Sequence, residues 1–186
     1  MLIGIISDSH GNEQALRQAI RTFARRGVKA IVHCGDVGTT RSLEVLGSAP
    51  AAVYLVAGNV DHSIHELETV AMQCNLHFAW EVALVQVDDR MILAATHGDD
   101  QQTLGSLIMS QRFPYVCHGH SHHQRDERIG ATRVINPGAL QRARVHTAVI
   151  LDTDCDELEF LVVVDAPAPK NGRRAKAGID SGRRTG

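Results

Sequence analysis

The sequence contains few of the features that cross-link small proteins or hold chains in membranes. Its four cysteines form no C-x-x-C pair, which argues against a disulfide framework or a thiolate zinc cage and favours a reducing compartment. No apolar run approaches the roughly 18 residues of a membrane-spanning helix. The first residues read as a buried strand and not as a signal peptide. We therefore expect a cytoplasmic protein without a membrane span.

Aromatic residues are also scarce, at 4% of 186 residues, although 44% of the residues are hydrophobic. Val, Ile, Leu and Ala must therefore fill the core, and a chain of this length supports one domain of ordinary size. We place this domain at residues 1–165. Residues 166–186 are rich in Pro, Gly and basic side chains and have almost nothing to bury, so we expect a disordered tail.

The predicted tail and domain carry opposite charges. Six Lys or Arg residues against one Asp give residues 166–186 a charge of +5, so the remainder carries −7 within a net charge of −2. An acidic body suits cation binding. The tail could attract nucleic acid or an anionic surface, but basic segments of this kind are more often simply solvated.

Five short apolar runs each end in residues that bind metals. Apolar runs of this length are typical of strands buried on both faces, and open α/β sheets bind ligands beyond the carboxyl ends of such strands. One run would be weak evidence, whereas five in succession argue against coincidence. The runs are Leu2–Ile6 before Asp8 and His10, Ala30–Val32 before Asp36, Ala52–Val56 before Asn59 and Asp61, Met91–Ala95 before His97, and Tyr115–Cys117 before His120 and His122.

The spacing within two of these motifs predicts a common orientation. Side chains two residues apart on an extended segment point the same way, so Asp8 with His10, and His120 with His122, are each expected to face one centre. Oxygen and imidazole donors without thiolate suit Mn, Fe, Ni, Zn or Mg.

The ordered set resembles the calcineurin-like metallophosphoesterases, and among them the small single-domain phosphodiesterases. The resemblance covers about Met1 to Asp165 and implies an α/β fold, a four-layer α/β/β/α sandwich of two mixed sheets. It also implies that Asp36 bridges two metal ions and that Asp36, Asn59, Asp61 and His97 are catalytic. One ion would be held by Asp8, His10 and His122, and the other by Asn59, His97 and His120. The motifs are Asp8-x-His10, Gly35-Asp36, Gly58-Asn59-x-Asp61, His97 and Gly119-His120-Ser121-His122.

The implied chemistry is the hydrolysis of small phosphate esters, with phosphodiesters as the first expectation. Two ions roughly 3.5–4 Å apart can share a water, lower its pKa and present it to phosphorus as hydroxide. We expect two divalent ions, manganese first, with nickel, iron, zinc or magnesium as alternatives. A phosphomonoesterase and a retromer-type protein-interaction scaffold on the same fold are the other functions to consider, and the complete donor set favours the enzyme. The oligomeric state stays open.

One position departs from the family pattern. The fuller third motif has a histidine after the asparagine, where this chain has Val60. Valine cannot protonate a leaving group, so alkyl monoesters should be poorer substrates than aryl esters or diesters. His62 could act instead, although an exposed surface histidine is the simpler interpretation. His33 and His118 are expected either to orient ligands or simply to complete their strands.

Hydrophobic periodicity and turn residues place the remaining elements. A helix is predicted from its cap at Asn12 to about Arg26, ended by Gly27. Further helices are predicted at Arg41–Leu46, about Ser63–Met72 and about Leu104–Gln111, hairpins at Val82–Val87 with Met91–Ala95 and at Arg144–Leu151 with Leu158–Val164, and a strand at Thr132–Ile135 before the turn Asn136-Pro137-Gly138.

Overall fold

The computed structural model describes residues 1–88 and 91–163, so the predicted tail lies outside the described residues. Within these residues no helix is long and apolar enough to cross a membrane. In chain order the elements are β1 (Leu2–Ile6), α1 (Glu13–Arg26), β2 (Ala30–His33), α2 (Thr40–Gly47), β3 (Ala52–Val56), α3 (Ile64–Gln73), β4 (His77–Ala79), β5 (Ala83–Gln86), β6 (Ile92–Ala95), α4 (Gln101–Met109), β7 (Tyr115–Cys117), β8 (Gln124–Ile129), β9 (Thr132–Pro137), β10 (Thr147–Asp152) and β11 (Glu157–Val162).

The strands form two mixed sheets. The first has the order β11-β10-β1-β2-β3-β4, in which β1 to β4 are parallel and the β10–β11 hairpin is antiparallel to β1. The second has the order β5-β6-β7-β9-β8, in which β6, β7 and β9 are parallel and the outer strands are antiparallel. The parallel centres of both sheets deliver their carboxyl ends, and hence the predicted ligands, to one edge.

Alternating side chains along β1 separate two cores. Ile3 and Ile5 pack in the cluster shared by the two sheets, whereas Ile6 packs in the cluster beneath α1, α2 and α3. A third cluster joins α4 to the outer face of the second sheet through Leu104 and Ile108. The four layers are therefore helices, sheet, sheet and helix, which confirms the predicted α/β/β/α sandwich.

Helix α1 begins and ends where its sequence predicts. The Asn12 side chain accepts a hydrogen bond from the Ala15 N–H at 3.1 Å, and Gly27 closes the helix in the left-handed conformation at φ 74°. Asn12 also donates to the Leu140 carbonyl at 3.0 Å. The cap therefore ties the loop after β1 to the segment after β9, close to the predicted ligands.

The structure differs from the sequence prediction at several elements. Strands β4 and β8 were not predicted, because β4 has three residues and β8 is a largely polar edge strand. Strand β9 extends through Asn136 and Pro137, so the chain turns at Gly138 with φ 84°. Helix α4 begins at Gln101, earlier than predicted, because Asp100 caps it by accepting from the Gln102 N–H at 2.9 Å.

Candidate metal centre

The loops that follow the parallel strands are tied together by backbone hydrogen bonds. The Asp8 N–H donates to the Gly35 carbonyl at 3.0 Å, and the His10 N–H donates to the Asp36 carbonyl at 2.9 Å. In the second sheet, the Gly119 N–H donates to the His97 carbonyl at 2.9 Å. These bonds fix the backbone of adjacent loops, so their side chains converge on one crevice.

Asp8, His10 and His122 form the first group of donors. The His122 Nε2 lies 3.2 Å from the Asp8 Oδ1 and 3.5 Å from the His10 Nε2, which is itself 4.0 Å from the Asp8 Oδ1. Two atoms that each lie 2.0–2.2 Å from a shared ion are roughly 2.8–3.6 Å apart at octahedral to tetrahedral angles. Both distances from the His122 Nε2 fall in this range, and the distance between the His10 Nε2 and the Asp8 Oδ1 is slightly longer.

Asn59, His97 and His120 form the second group. The Asn59 Oδ1 lies 3.0 Å from both the His97 Nε2 and the His120 Nδ1. Asp36 stands between the two groups, because its Oδ2 is 3.4 Å from the His97 Nε2 and 3.7 Å from the His10 Nε2. This is the position expected for a bridging carboxylate.

The surroundings of Asp8 suit a bound cation. Asp8 is fully buried, and its Oδ1 has no hydrogen-bond partner among the described residues, while its Oδ2 accepts from the His120 N–H at 3.1 Å. Burial raises the pKa of Asp8. A buried carboxylate oxygen without a partner is costly. A divalent ion between this oxygen and the imidazoles would satisfy it, and carboxylate, amide and imidazole donors suit Mn, Fe, Ni or Zn.

His97 is held in the orientation that a metal ligand needs. Its Nδ1 lies 2.8 Å from the Cys34 carbonyl, to which it donates, so that Nε2 faces the centre. Burial lowers the pKa of His97, but its bonds to Asp36 and Cys34 prevail and raise it to about 9. Burial likewise raises the pKa of Asp36, while His97 and the Val60 N–H, 3.0 Å from its Oδ1, lower it on balance.

Left-handed backbone conformations recur at the ligands. Asp8, His10, Asp36, His120 and His122 have φ between 43° and 65°. Neither Asp8 with His10 nor His120 with His122 lies on an extended segment, since β1 ends at Ile6 and β7 at Cys117. The extended-segment explanation for a common orientation is therefore wrong for both pairs. Such conformations are uncommon outside glycine, although Asp and His adopt them more readily than most residues, and they cluster at functional sites.

Comparison with known proteins identifies the family of this chain. The chain matches the calcineurin-like phosphoesterase superfamily domain over residues 1–156. It belongs to this family. A phosphodiesterase of Methanocaldococcus jannaschii is 30% identical over 166 residues, which cover 88% of this chain and 99% of the relative. The family and the class of enzyme expected from the motifs are confirmed.

Two solved structures share the calcineurin-like fold. An archaeal phosphodiesterase superposes with a TM-score of 0.80 at 30% identity, over 87% of this chain and 99% of its own. Vps29 of Entamoeba histolytica complexed with Zn²⁺ superposes with a TM-score of 0.57 at 14% identity, over 88% of this chain and 100% of its own. The second likeness shows the fold alone.

Asp61 is not turned toward the donors of this phosphoesterase centre. Its buried carboxylate accepts from the backbone N–H groups of Val37 at 3.2 Å, Gly38 at 2.8 Å and Gly58 at 2.9 Å. These bonds hold the loops after β2 and β3 together, which supports a positioning role. The catalytic role expected for Asp61 stays a prediction.

Asn136 is a positioning residue whose role the sequence did not reveal. Its buried amide donates to the Gly119 carbonyl at 2.8 Å and to the Ser121 Oγ at 3.1 Å, and its Oδ1 accepts from the Gly138 N–H at 2.9 Å. Asn136 thereby braces the loop that carries His120. The Asn-Pro-Gly motif was the available signal, but it indicated only a turn.

His33 braces the first ligand loop from beneath. It is fully buried, and its Nε2 lies 2.9 Å from the hydroxyl of Ser9, the residue between Asp8 and His10. Burial lowers the pKa of His33 to about 3, so the ring is neutral. The structure therefore places His33 behind the ligands and not among them.

Proposed function

We propose that the chain hydrolyses phosphodiesters with two divalent metal ions bound by Asp8, His10, Asp36, Asn59, His97, His120 and His122. The observation that carries the proposal is the position of Asp36, whose Oδ2 faces His10 on one side and His97 on the other at 3.7 and 3.4 Å. A scaffold has no need of this ring of donors or of the unpartnered carboxylate oxygen of Asp8.

Each residue of the proposed centre has a separate role in phosphoryl transfer. When bound, the ion pair supplies Lewis-acid charge for the phosphoryl oxygens and a hydroxide nucleophile at neutral pH. Asp8 and Asp36 contribute the negative charge that holds the ions, while the Cys34 carbonyl keeps the His97 Nε2 aimed at them. His97 must release its proton before it can bind a cation.

The residues near the expected leaving group favour esters whose leaving groups need no proton. The Val60 side chain has no proton to give, and its N–H is already donated to the Asp36 Oδ1. His62 is exposed in the loop beyond Asp61. Without an acid at Val60, esters with good leaving groups, such as aryl diesters, should react faster than alkyl monoesters.

The experiment is a metal and substrate screen of the metal-depleted protein. Manganese, nickel, iron, zinc and magnesium are each added against phosphodiesters, phosphomonoesters and cyclic nucleotides, with manganese and an aryl diester expected to give the highest rate. Asp36→Asn should abolish turnover, whereas the exposed Glu44→Gln on α2 should match wild type. Preference for alkyl monoesters would instead indicate a phosphomonoesterase, and no turnover with any ion would favour a scaffold.

A further inference from the structure

A cavity of about 290 Å³ opens beside the metal centre. Two of its lining residues, Gly58 and His97, belong to the centre itself, so a substrate at the metals would extend into it. The other lining residues that matter here are Trp80, Glu81, Asp99 and Asp100.

Trp80 forms an aromatic wall of this cavity. It is the single tryptophan of the chain and follows β4, with 47% of its surface exposed. The His65 ring contacts it edge-on, with ring centroids 5.5 Å apart at 71°. A large ring that is held in place yet half exposed offers a face for stacking, and base-on-aromatic stacking is favourable for every nucleobase.

The polar part of the cavity is acidic. Glu81, Asp99 and Asp100 line it, and no Lys or Arg does so among the described residues. Bonds from the Thr103 hydroxyl and the Gln102 N–H lower the pKa of Asp100, which keeps it ionised. Carboxylates accept hydrogen bonds from amino groups and repel a second phosphate.

The opposite flank of the centre has the opposite charge. The cavity next to His122 is lined by Arg142 and Arg144. A further anionic group of a substrate is therefore better accommodated beside His122 than beside His97. The size of the Trp80 cavity, at the lower end of the roughly 300–1,000 Å³ usual for ligand pockets, fits a single ring system.

We propose that the Trp80 cavity binds the base of a nucleotide phosphodiester, stacked on Trp80 and donating amino hydrogens to the surrounding carboxylates. The substrate class is thus a diester of a nucleotide with an amino-bearing base, such as adenine, and the inference rests on the proposed diesterase function. Thymine presents a carbonyl where adenine has its amino group, so it suits the acidic wall less well.

Binding can be tested without turnover, because Trp80 is the only source of tryptophan fluorescence. The manganese-loaded protein is titrated with adenosine, thymidine and ribose, with excitation at the red edge of the indole band, where nucleosides do not absorb. Saturable quenching by adenosine, weaker quenching by thymidine and none by ribose are expected. Equal responses to adenosine and ribose would overturn the proposal.

Kinetics test the same cavity during the reaction. The substrates are the 4-nitrophenyl esters of adenosine 5′-phosphate and of methyl phosphate, which share a leaving group and differ in carrying an adenosyl or a methyl group on the phosphate. Trp80→Ala should lower the ratio of their kcat/KM values about tenfold, and Trp80→Phe should retain most of it. Met109→Ala, which removes an exposed apolar side chain on α4 outside the cavity, should leave the ratio unchanged.

The outcomes separate this inference from the proposed function. Saturable quenching by adenosine in a protein that hydrolyses no diester would refute the diesterase and leave the base-binding cavity standing. Diester hydrolysis with the same ratio in Trp80→Ala as in wild type, and no saturable quenching, would overturn the cavity assignment alone.

Discussion

Replacing Gly58 by alanine should displace the Asp36 carboxylate without replacing any of the proposed metal ligands. A Cβ at Gly58 would lie 2.8 Å from the Cγ of Asp36 and closer still to its Oδ1 and backbone nitrogen. Non-bonded carbon atoms in contact are normally about 3.5–4.0 Å apart. The backbone nitrogen of Asp36 cannot move away by a side-chain rotation, so Asp36 and Gly58 must separate by about 1 Å.

A displacement of this size should be severe for catalysis, and because the clash involves backbone it should also lower the free energy of unfolding. Misplacing a reacting group by about 1 Å costs roughly 100-fold in rate, so we expect kcat/KM of Gly58→Ala to fall by about that factor. The matched control is Gly105→Ala in α4, where a Cβ meets nothing within 4 Å. Alanine there should leave the rate unchanged and raise the free energy of unfolding by about 0.5–1 kcal/mol.

The assay is aryl-diester hydrolysis at saturating manganese, together with chemical unfolding of both variants. A rate for Gly58→Ala within about twofold of wild type would refute the reasoning, because it would mean that the position of Asp36 is not critical. Chemical unfolding shows whether Gly58→Ala is still folded under the assay conditions, and a rate loss that only follows loss of folded protein would also refute the reasoning.

Two further predictions concern His33 and Val60. Burial holds the pKa of His33 at about 3, below its ordinary 6.5, so the unfolded chain binds the extra proton and the free energy of unfolding should fall as pH drops from 6.5 toward 3. The fall is at most about 5 kcal/mol, at about 1.4 kcal/mol per pH unit. In chemical unfolding of the metal-free proteins, His33→Gln should show a weaker pH dependence than wild type. An unchanged pH profile would mean that other groups cause the dependence. Val60→His should accelerate esters with poor leaving groups more than activated aryl esters, measured over a series of graded leaving groups, and a flat dependence in wild type would identify another acid, with His62 as the first to test.

The sequence indicated which side chains would converge because its motifs follow buried strands. The order of apolar runs and polar motifs identifies the carboxyl ends of β1, β2, β3, β6 and β7, and the geometry of parallel strands then requires these ends to share an edge. The cap at Asn12 and the stop at Gly27 were equally predictable, since each is a local interaction.

The features that escaped prediction depend on contacts between distant segments. The motif predicts a catalytic role for Asp61, whereas its bonds to three backbone N–H groups in the loops after β2 and β3 have no signature in the sequence. Trp80 belongs to no motif, and its place beside His97 arises from the way β4 ends next to β3. The left-handed conformation of Asp36 likewise has no signature in the sequence.

The most direct test of the two-metal centre is to measure metal content and activity together. The metal-depleted protein is equilibrated with increasing manganese, and bound ion and aryl-diester hydrolysis are determined in the same samples for wild type and Asp36→Asn. We predict two ions per wild-type chain, activity that follows occupancy of the second ion, and loss of both the second ion and activity in Asp36→Asn. Full activity with one ion bound, or after exhaustive chelation, would contradict the account.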